Sequence, residues 1–497
     1  MNVNLTQNNE LSKLNCEKQG LCDIVTKYLG ALKGGRQMSS LFPKRNGVPV
    51  METLRVLCMA KMLGDSLLKA YRQGFYGASD AKRGKNSFYL FRSNPKINWR
   101  EVMARVALRL KSFIIKNNMA ETKAPHCFII DDTAIVKTGL KMERASKIHD
   151  HTDGRYKLGY KLLACAYFDG KSTICPDFAL LRESKRNNYG LSDGQLEKQH
   201  SKERDEKCPA HQRLSETDAS KLSVASDMVK RLCDNGLRAE YILTDSWFSC
   251  AKFIKEVRAA CDGKAHLVCR AKFNATKYDV QGKVLNALQI RDLNRSEAVC
   301  CKKYKCMYIK QKAMLGDQVV LLFLVRFGNR DNWDILMTTD TSMSFVKCLE
   351  IYQIRWNIEV VFKECKQHIG LEDCQSRDFD SQIADISLCF LIHAILTLEK
   401  RINDYESFGG MFHVHRDALL QKTLWKRNLD MLSRSLSELA PVFGWCVTDA
   451  VVCASAMHAK FNELIFGQLQ SGHILIPCKN VDSLRFTLCD ISLMCYV

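Results

Sequence analysis

The chain has 497 residues, more than one hydrophobic core usually organises, so we expect several domains. With 74 Lys and Arg against 54 Asp and Glu, its formal net charge is +20, and such an excess indicates a polyanionic partner, of which nucleic acid is the simplest. The first residues are polar and lack the apolar stretch of a signal peptide, and the longest apolar run, residues 388–398, is too short to span a bilayer. We therefore expect no membrane partner.

The 23 cysteines are scattered along the chain, and many lie inside apolar runs, as Cys165, Cys389 and Cys453 do. This pattern favours buried thiols in a reducing cytoplasm over a disulfide framework. No CxxC pair occurs, and Cys208 and His211, which have the spacing of half a zinc site, lack an obvious second half. The cysteines therefore predict neither disulfides nor a structural zinc ion.

The first 124 residues predict a helical region. Apolar residues recur every three or four positions in Val50–Tyr71 and again in Asn98–Ile115. Between these helices, residues 81–96 are basic and interleave three aromatic residues with lysine and arginine. Such a segment suits a DNA-binding loop that presents cations and aromatic rings, and it suits an exposed basic connector equally well.

An apolar strand is predicted at residues 127–133, and it ends in two acids, Asp131 and Asp132. Adjacent residues of a strand face opposite sides, so only one of the two carboxylates can reach a given site directly. Without partners elsewhere in the chain, a pair of acids at a strand end is typical of an ordinary turn or cap.

Two paired strands are predicted next, at residues 157–170 and 173–183, joined through an Asp-Gly turn. Residues 184–213 are dense in charge and lack periodicity, which predicts a mobile basic loop that lies on DNA. A helix over Glu216–Asn235 with Gly236 as its cap follows.

A second strand that ends in an acid lies at residues 241–248, where Asp245 precedes a predicted helix over Phe248–Ala260. An acid at the carboxyl end of a strand stands where α/β sheets place their ligands. The alternative is an aspartate that only caps the helix. Residues 266–340 are rich in strand-like segments and poor in helix, which predicts a β-rich insertion.

Residues 352–366, YQIRWNIEVVFKECK, carry the densest pattern of the chain. Read as a helix, they place one acid and four other polar side chains on one stripe: Tyr352, Arg355, Glu359, Lys363 and Lys366. A carboxylate flanked by cations suits a metal-dependent site on a nucleic-acid backbone, because the carboxylate can bind a hard cation while the cations neutralise phosphates. The alternative is a solvated helix face with ion pairs between residues four apart.

The spacing Y-x2-R-x3-E-x6-K, filled here by Tyr352, Arg355, Glu359 and Lys366, resembles the signature of the IS4-type DDE transposases of bacterial insertion sequences. A tryptophan follows the arginine, as in some members of that family. By this resemblance Tyr352, Arg355 and Lys366 contact the phosphates around a cleaved DNA end, and Lys363 is a further candidate by its position.

The resemblance also implies two catalytic aspartates upstream of Glu359, each on a strand. Asp245 is the second of them, and the first is Asp131 or Asp132. A D-x-T spacing selects Asp131, whereas an immediately following threonine selects Asp132. We favour Asp131 and retain both.

The fold class implied by the resemblance is α/β: an RNase H-like catalytic domain interrupted by a β-rich insertion, with a helical N-terminal region and a mostly helical C-terminal region. The predicted domains, in chain order, are a DNA-binding region at 1–124, the first part of the catalytic domain at 125–265, the insertion at 266–340, the second catalytic part with the Glu-bearing helix at 341–402, and a C-terminal region at 403–497. Helices are predicted there at Met431–Ala440 and Thr448–Leu469, and the family implies dimerisation through this region.

Trp333 belongs to a segment, NWDILMTTD, that resembles the family segment whose tryptophan stabilises a flipped base near the transposon end. An indole offers a flat stacking surface worth about 1–3 kcal/mol per base. The alternative is a tryptophan that anchors the core of the insertion.

Asp131, Asp245 and Glu359 are thus the predicted ligands of two Mg²⁺ or Mn²⁺ ions. The predicted function is a DNA transposase that cleaves the ends of an insertion sequence and joins the 3′-hydroxyl to target DNA. Its expected partners are double-stranded DNA and a second copy of the chain in a synaptic homodimer, and its expected location is the bacterial cytoplasm, at the nucleoid when bound to DNA. The alternatives are a structure-specific nuclease on the same fold, and an inactive or domesticated transposase that only binds DNA.

Overall fold

The structure is a computed structural model of the chain, and it describes residues 24–31, 41–43, 49–72, 86–150, 153–183, 187–273, 276–328, 332–403, 405–420 and 435. The chain divides into two compact units, residues 1–427 and 428–497. All described residues except 435 belong to the first unit, which also holds every predicted site residue. Apart from residue 435, the helices predicted at Met431–Ala440 and Thr448–Leu469 lie outside the described residues.

Helices precede the first strand: α1 Ile24–Ala31, α2 Val50–Met62, α3 Leu67–Arg72, α4 Asn86–Arg92 and α5 Trp99–Lys116. The predicted helix over Asn98–Ile115 is confirmed as α5, whose N-cap Asn98 accepts a hydrogen bond from the N–H of Glu101 at 3.1 Å. The single helix predicted over Val50–Tyr71 is wrong. The chain turns between α2 and α3 at Gly64, which has a φ of +67° that favours glycine.

The basic segment at residues 81–96 does not present its aromatic rings on a loop. Its residues from 86 onward form α4, and Phe88 and Phe91 are buried. The Phe91 ring stacks on Phe42 with 5.8 Å between centroids. The expected loop and the expected connector are both wrong for α4, because burying these two rings stabilises a helix packed on the core. Tyr89 of the same helix is exposed, and DNA binding by this region stays a prediction. The preceding residues 81–85 lie outside the described part of the chain.

One mixed sheet runs through the described residues, and its strands are, in chain order, β1 Cys127–Val136, β2 Ser146–Asp150, β3 Arg155–Phe168, β4 Thr173–Leu181, β5 Tyr241–Thr244, β6 His266–Ala271, β7 Lys277–Val280, β8 Lys283–Asn286, β9 Val299–Cys301, β10 Cys306–Leu315, β11 Gln318–Phe327 and β12 Trp333–Thr338. Across the sheet their order is β2-β3-β1-β5-β6-β12-β11-β10-β7-β8, with β4 also paired to β3 and β9 to β10. Strand β3 is antiparallel to β1, whereas β5 is parallel to β1 and β6 is parallel to β5. The carboxyl ends of β1, β5 and β6 therefore share one edge of the sheet.

Strands β3 and β4 confirm the predicted hairpin, which turns at Asp169 and at Gly170 with a φ of +93°. Strand β1 is longer than predicted. It continues to Val136, so Asp131 and Asp132 lie within the strand and not at its end.

Further helices cover the sheet: α6 Asp193–Glu197, α7 Pro209–Ser215, α8 Lys221–Asp234, α9 Ala251–Ala260, α10 Ala287–Leu293, α11 Phe345–Gln353, α12 Trp356–His368 and α13 Phe379–Ile402. The helices predicted over Glu216–Asn235 and Phe248–Ala260 are confirmed as α8 and α9, with shorter bounds. Apolar residues of α8 and α9 pack with Phe128 and Ile130 of β1, whereas those of α12 and α13 pack with Ile129. Successive residues of β1 thus face two separate cores.

Helix α13 is long and apolar enough by composition to cross a membrane, yet 94% of its most apolar window is buried inside the molecule. Two of its buried acids are paired with cations from the N-terminal helices. Asp385 accepts from Lys61 at 2.7 Å and from Arg92 at 3.1 Å, and Glu399 pairs with Lys27 at 3.4 Å. These contacts make α13 a core helix that fastens the N-terminal helices to the sheet.

Residues 184–213 are not the mobile loop that was predicted, because the described part of this segment is folded and its arginines Arg204 and Arg213 are used internally. The side chain of Arg204 is only 1% exposed and forms hydrogen bonds with Glu143 and Asp380 at 2.7–2.9 Å. Arg213 is buried beside Asp177. Charge density alone could not reveal these remote acidic partners.

The strand-rich segment at residues 266–340 continues the central sheet. Strand β6 lies beside β5, and β12 pairs antiparallel with β6, which connects β11 and β10 to the same ladder. The strands predicted in this segment are therefore present. They form one continuous sheet with β1, which carries Asp131, and β5, which precedes Asp245.

Candidate active site

The stretch at residues 352–366 is two helices and not one. Helices α11 and α12 meet at a turn in which the amides of Ile354 and Arg355 bond to carbonyl oxygens three residues earlier. Tyr352 lies on α11, where burial raises its pKa to about 12, and Glu359 lies on α12. The stripe survives the turn because Arg355 keeps helical backbone angles, with φ −51° and ψ −34°.

Arg355 links two of the predicted acids. Its Nη1 donates to Oδ2 of Asp131 at 2.7 Å, and its Nη2 donates to Oε1 of Glu359 at 2.7 Å. Asp131 comes from the middle of the sheet and Glu359 from a helix far along the chain. The ion pair between Arg355 and Glu359 that the alternative interpretation expected is present, but it belongs to a three-residue cluster with Asp131 and not to a solvated helix face.

Asp245 reaches the same edge of the sheet from β5. The parallel register pairs Ile130 with Thr244, so Asp131 and Asp245 are the next residues on adjacent strands, which lie about 5 Å apart in a sheet. The charge of Asp245 contributes to raising the pKa of Asp131. Asp245 also accepts a hydrogen bond from the N–H of Trp247 at 3.0 Å, so it caps the following helical turn as well.

The carboxylates suit a hard divalent cation. The pKa of Asp131 is raised to about 7, mainly by burial; Arg355 opposes this rise, and the charges of Asp132 and Asp245 contribute to it. A divalent ion counters this by stabilising the ionised form, and Mg²⁺ and Mn²⁺ prefer carboxylate oxygens. The chemistry of Asp131, Asp245 and Glu359 therefore fits such ions.

Asp132 lies on the opposite face of β1. Its carboxylate pairs with Lys221 at the start of α8 and with Lys161 of β3, at 3.4 Å from the Lys161 Nζ. This is the side on which Phe128 and Ile130 pack under α8 and α9. The geometry therefore favours Asp131 over Asp132 as the partner of Glu359.

The two lysines of α12 have different surroundings. Lys366 donates to the carbonyl oxygen of Ala134 at 2.8 Å and pairs with Glu372 at 2.7 Å, so it ties α12 to β1. Lys363 is exposed and has no ion-pair partner among the described residues. Of the two, Lys363 is the more available to a phosphate.

Trp333 begins β12 and is only 6% exposed. Its ring belongs to the core under α9, and the guanidinium of Arg326 lies 5.6 Å from the ring centroid. In this position the indole offers little open face for a base. The structure favours the alternative in which Trp333 anchors the strands of the 266–340 segment.

A second group of metal-ligand types is formed by Glu143, His200 and Asp378, whose ligand atoms lie within 4.8 Å of one another. Arg204 binds both oxygens of Glu143 at 2.7 and 2.8 Å, and Lys202 pairs with Asp378 at 3.2 Å. These three side chains could hold a metal ion, and in the structure their two carboxylates are engaged in an ion-pair network, as Asp131 and Glu359 are with Arg355.

Three residues beside the predicted acids escaped the sequence reasoning. Lys221 and Lys161 hold Asp132, and Trp247 is an exposed tryptophan two residues after Asp245. No local pattern marked any of the three. The fold brings the lysines to β1, and its packing leaves Trp247 exposed although the next residue, Phe248, is buried.

Two family models match the chain. A model described as a transposase DDE domain matches residues 203–395, and a model described as a DDE superfamily endonuclease matches residues 73–271. These matches support a DDE transposase. The first range contains Asp245 and Glu359, and the second contains Asp131, Asp132 and Asp245. No curated protein matches the chain.

The matches and the geometry agree on the class of protein. The mixed sheet with helices on both faces is consistent with a DDE nuclease fold, and domains of this class have DNA as their substrate and typically use divalent metal ions. The enzyme class is therefore nuclease or transposase.

Proposed function

We propose that the chain is an IS4-type DDE transposase, which cleaves DNA at the ends of an insertion sequence and transfers the free 3′-hydroxyl into target DNA. The observation that carries the proposal is the meeting of Asp131 and Glu359 on one arginine, with Asp245 on the strand beside Asp131. Glu359 is the acid of the Y-x2-R-x3-E-x6-K signature, and the family resemblance implies Asp245 and one of Asp131 and Asp132 as its partners.

In this proposal Asp131, Asp245 and Glu359 hold two divalent ions. Bound there, the ions would activate the attacking water or 3′-hydroxyl and stabilise the leaving oxygen of a phosphodiester. The same set of acids then serves both cleavage and joining, since both reactions are phosphoryl transfers without a covalent protein intermediate. Asp132 takes no part in ion binding, because Lys161 and Lys221 occupy it on the other face of β1.

The cations of the signature position the DNA. Arg355 keeps the two acids together and offers further N–H donors to a phosphate, and Lys363 stands exposed two turns beyond it on α12. Lys366 acts through its tie to β1, which sets the position of α12, and Tyr352 packs against Arg355 with the guanidinium 5.7 Å from the ring centroid.

The finer fold assignment is part of the same proposal. The strands β4-β3-β1-β5-β6, with β1 central, have the antiparallel and parallel neighbours of an RNase H-like sheet, and the strands between β6 and α11 are the insertion. We further propose that the protein works as a homodimer on double-stranded DNA in the bacterial cytoplasm. The expected dimerisation region lies mostly outside the described residues.

The proposal is tested with a linear duplex that carries the sequences flanking the gene, incubated with the full-length protein and Mg²⁺. Asp131→Asn, Asp245→Asn and Glu359→Gln should each lower the cleavage rate by at least about 10³-fold, or about 4 kcal/mol of transition-state stabilisation, while duplex binding stays within about threefold of wild type. Asp317→Asn, an exposed acid paired with Lys255 at 2.8 Å, is the matched control and should cut normally. Cleavage that survives Glu359→Gln would contradict the proposal.

The match to a DDE superfamily endonuclease supports a second candidate function, that of a nuclease that cuts DNA without joining it. The two are separated by supplying DNA ends with a free 3′-hydroxyl and a supercoiled target. A transposase joins them, and the joined product disappears with Asp245→Asn. A nuclease leaves the ends unjoined although it cuts the intact duplex.

A further inference from the structure

We propose that Trp247, together with Lys221 and Lys272, forms a stacking site for an unpaired base of the DNA strand that passes Asp245. This inference rests on the proposed function, since it takes DNA as the molecule bound at that edge of the sheet. It adds a residue that neither the signature nor the family matches assign.

The first observation is the exposure of the Trp247 ring. Trp247 is 47% exposed and Trp356 of α12 is 60% exposed, whereas Trp99 and Trp333 are buried in the two cores. A large aromatic side chain that remains in contact with water leaves apolar surface to be covered by a partner. A flat indole suits a nucleic-acid base, because every base offers a π-face for stacking.

The second observation is where the ring lies. Strand β5 ends at Thr244, Asp245 follows, and Trp247 is two residues further on. Lys272 directly follows the end of β6, which runs parallel to β5. The indole and this lysine therefore lie at the carboxyl ends of β5 and β6, beside Asp245 and level with Asp131 on β1, where a phosphodiester would be cut.

The third observation is the charge around the ring. The ammonium groups of Lys221 and Lys272 each lie 5.3 Å from the Trp247 ring centroid. Lys221 is held there by its ion pair with Asp132 and by Phe248, whose ring centroid is 4.8 Å away. Two cations beside one aromatic ring complement a phosphate backbone with an attached base. The second acid of the Asp131–Asp132 pair thereby becomes a positioning residue for Lys221.

The test measures binding of a fluorescein-labelled oligothymidylate to the full-length protein by anisotropy, in EDTA so that no cleavage occurs. Trp247→Ala should weaken binding by about 5- to 150-fold, and Trp247→Phe should recover most of the affinity because it restores an aromatic face. Leu288→Ala is the matched control, an apolar residue of equal exposure at 46% on α10, and it should bind as wild type does. Lys272→Gln should reduce the dependence of affinity on salt.

A second readout addresses folding. The intrinsic tryptophan fluorescence of the wild type should be quenched by the oligonucleotide, and this part of the quenching should be missing in Trp247→Phe. Wild-type affinity in Trp247→Ala, or a Trp247→Phe variant as weak as the alanine variant, would overturn the inference. An equal loss in Leu288→Ala would overturn it too, since general apolar surface would then account for binding.

The outcomes also separate this inference from the proposed function. A protein that binds the oligonucleotide through Trp247 but cuts no duplex under any metal condition contradicts the transposase proposal alone. A protein whose cleavage depends on Glu359, but whose binding ignores Trp247, contradicts the stacking site alone.

Discussion

Replacing Asp131 by asparagine is expected to make the metal-free protein more stable at neutral and alkaline pH. The carboxyl is buried against Arg355 and lies near the acids Asp132 and Asp245, and burial is the main reason that its pKa is raised to about 7. The folded chain therefore binds the Asp131 proton more tightly than the unfolded chain does. The stability of the wild type falls as the pH rises from the ordinary value of 3.8 toward about 7, and asparagine removes this loss.

The difference between a pKa of 3.8 and one of about 7 corresponds to about 4 kcal/mol when Asp131 is fully ionised. Part of this is already lost at mildly acidic pH. Between about pH 5 and about pH 8 the free energy of unfolding of Asp131→Asn should therefore rise by about 2–3 kcal/mol relative to wild type.

The measurement is urea unfolding of both proteins in EDTA at the two pH values. Asp132→Asn is the neighbouring control and should be less stable than wild type at neutral pH, because Lys161 and Lys221 lose their partly buried partner. A stability difference between Asp131→Asn and wild type that does not change with pH would refute the reasoning. That result would mean that the fold does not hold the ionised Asp131 carboxylate at a free-energy cost, which a bound cation would offset.

Three further predictions concern Arg355, Asp385 and Gly159. Arg355→Gln should raise the pKa of Asp131 further. Stabilisation of the protein by Mn²⁺, followed as a shift in melting temperature, should then begin about one pH unit higher than in wild type. An unchanged onset would contradict the effect of Arg355 on the pKa of Asp131. Asp385→Asn should lower the free energy of unfolding, measured with a chemical denaturant, by about 3–5 kcal/mol, because Lys61 and Arg92 lose a buried partner. A decrease below about 1 kcal/mol would show that these ion pairs are not needed for stability. Gly159→Ala should cost about 1–3 kcal/mol in thermal unfolding, since its new methyl group would meet a backbone carbonyl of β1. Gly194→Ala, which has open space around it and no left-handed φ, is the control and should leave the stability nearly unchanged.

Local patterns in the sequence predicted much of the candidate site. Asp131 and Asp245 were recognised because each follows an apolar run that predicts a strand, and Glu359 because it belongs to the polar stripe of α12. Both patterns can be recognised from consecutive residues. The hairpin at Asp169 and Gly170 was predicted for the same reason.

Some of the predictions that were wrong concerned residues whose partners are remote in sequence. The charged segment at residues 184–213 looked solvated, yet its arginines meet buried acids from β4 and α13. Trp333 and Trp247 are both tryptophans at strand ends, but only the packing of the sheet shows that the first is buried and the second exposed.

The sequence, through its resemblance to a family, predicted by itself which side chains would carry the chemistry: three acids on separate elements, the first of them Asp131 or Asp132, with an arginine one helical turn before the last. Only the tertiary structure decided between Asp131 and Asp132, since the alternation of β1 sends one toward Arg355 and the other toward Lys221. The physical reason is that periodicity is a property of consecutive residues. The cation that pairs with each carboxylate depends instead on which elements, remote in sequence, pack on each face of the sheet.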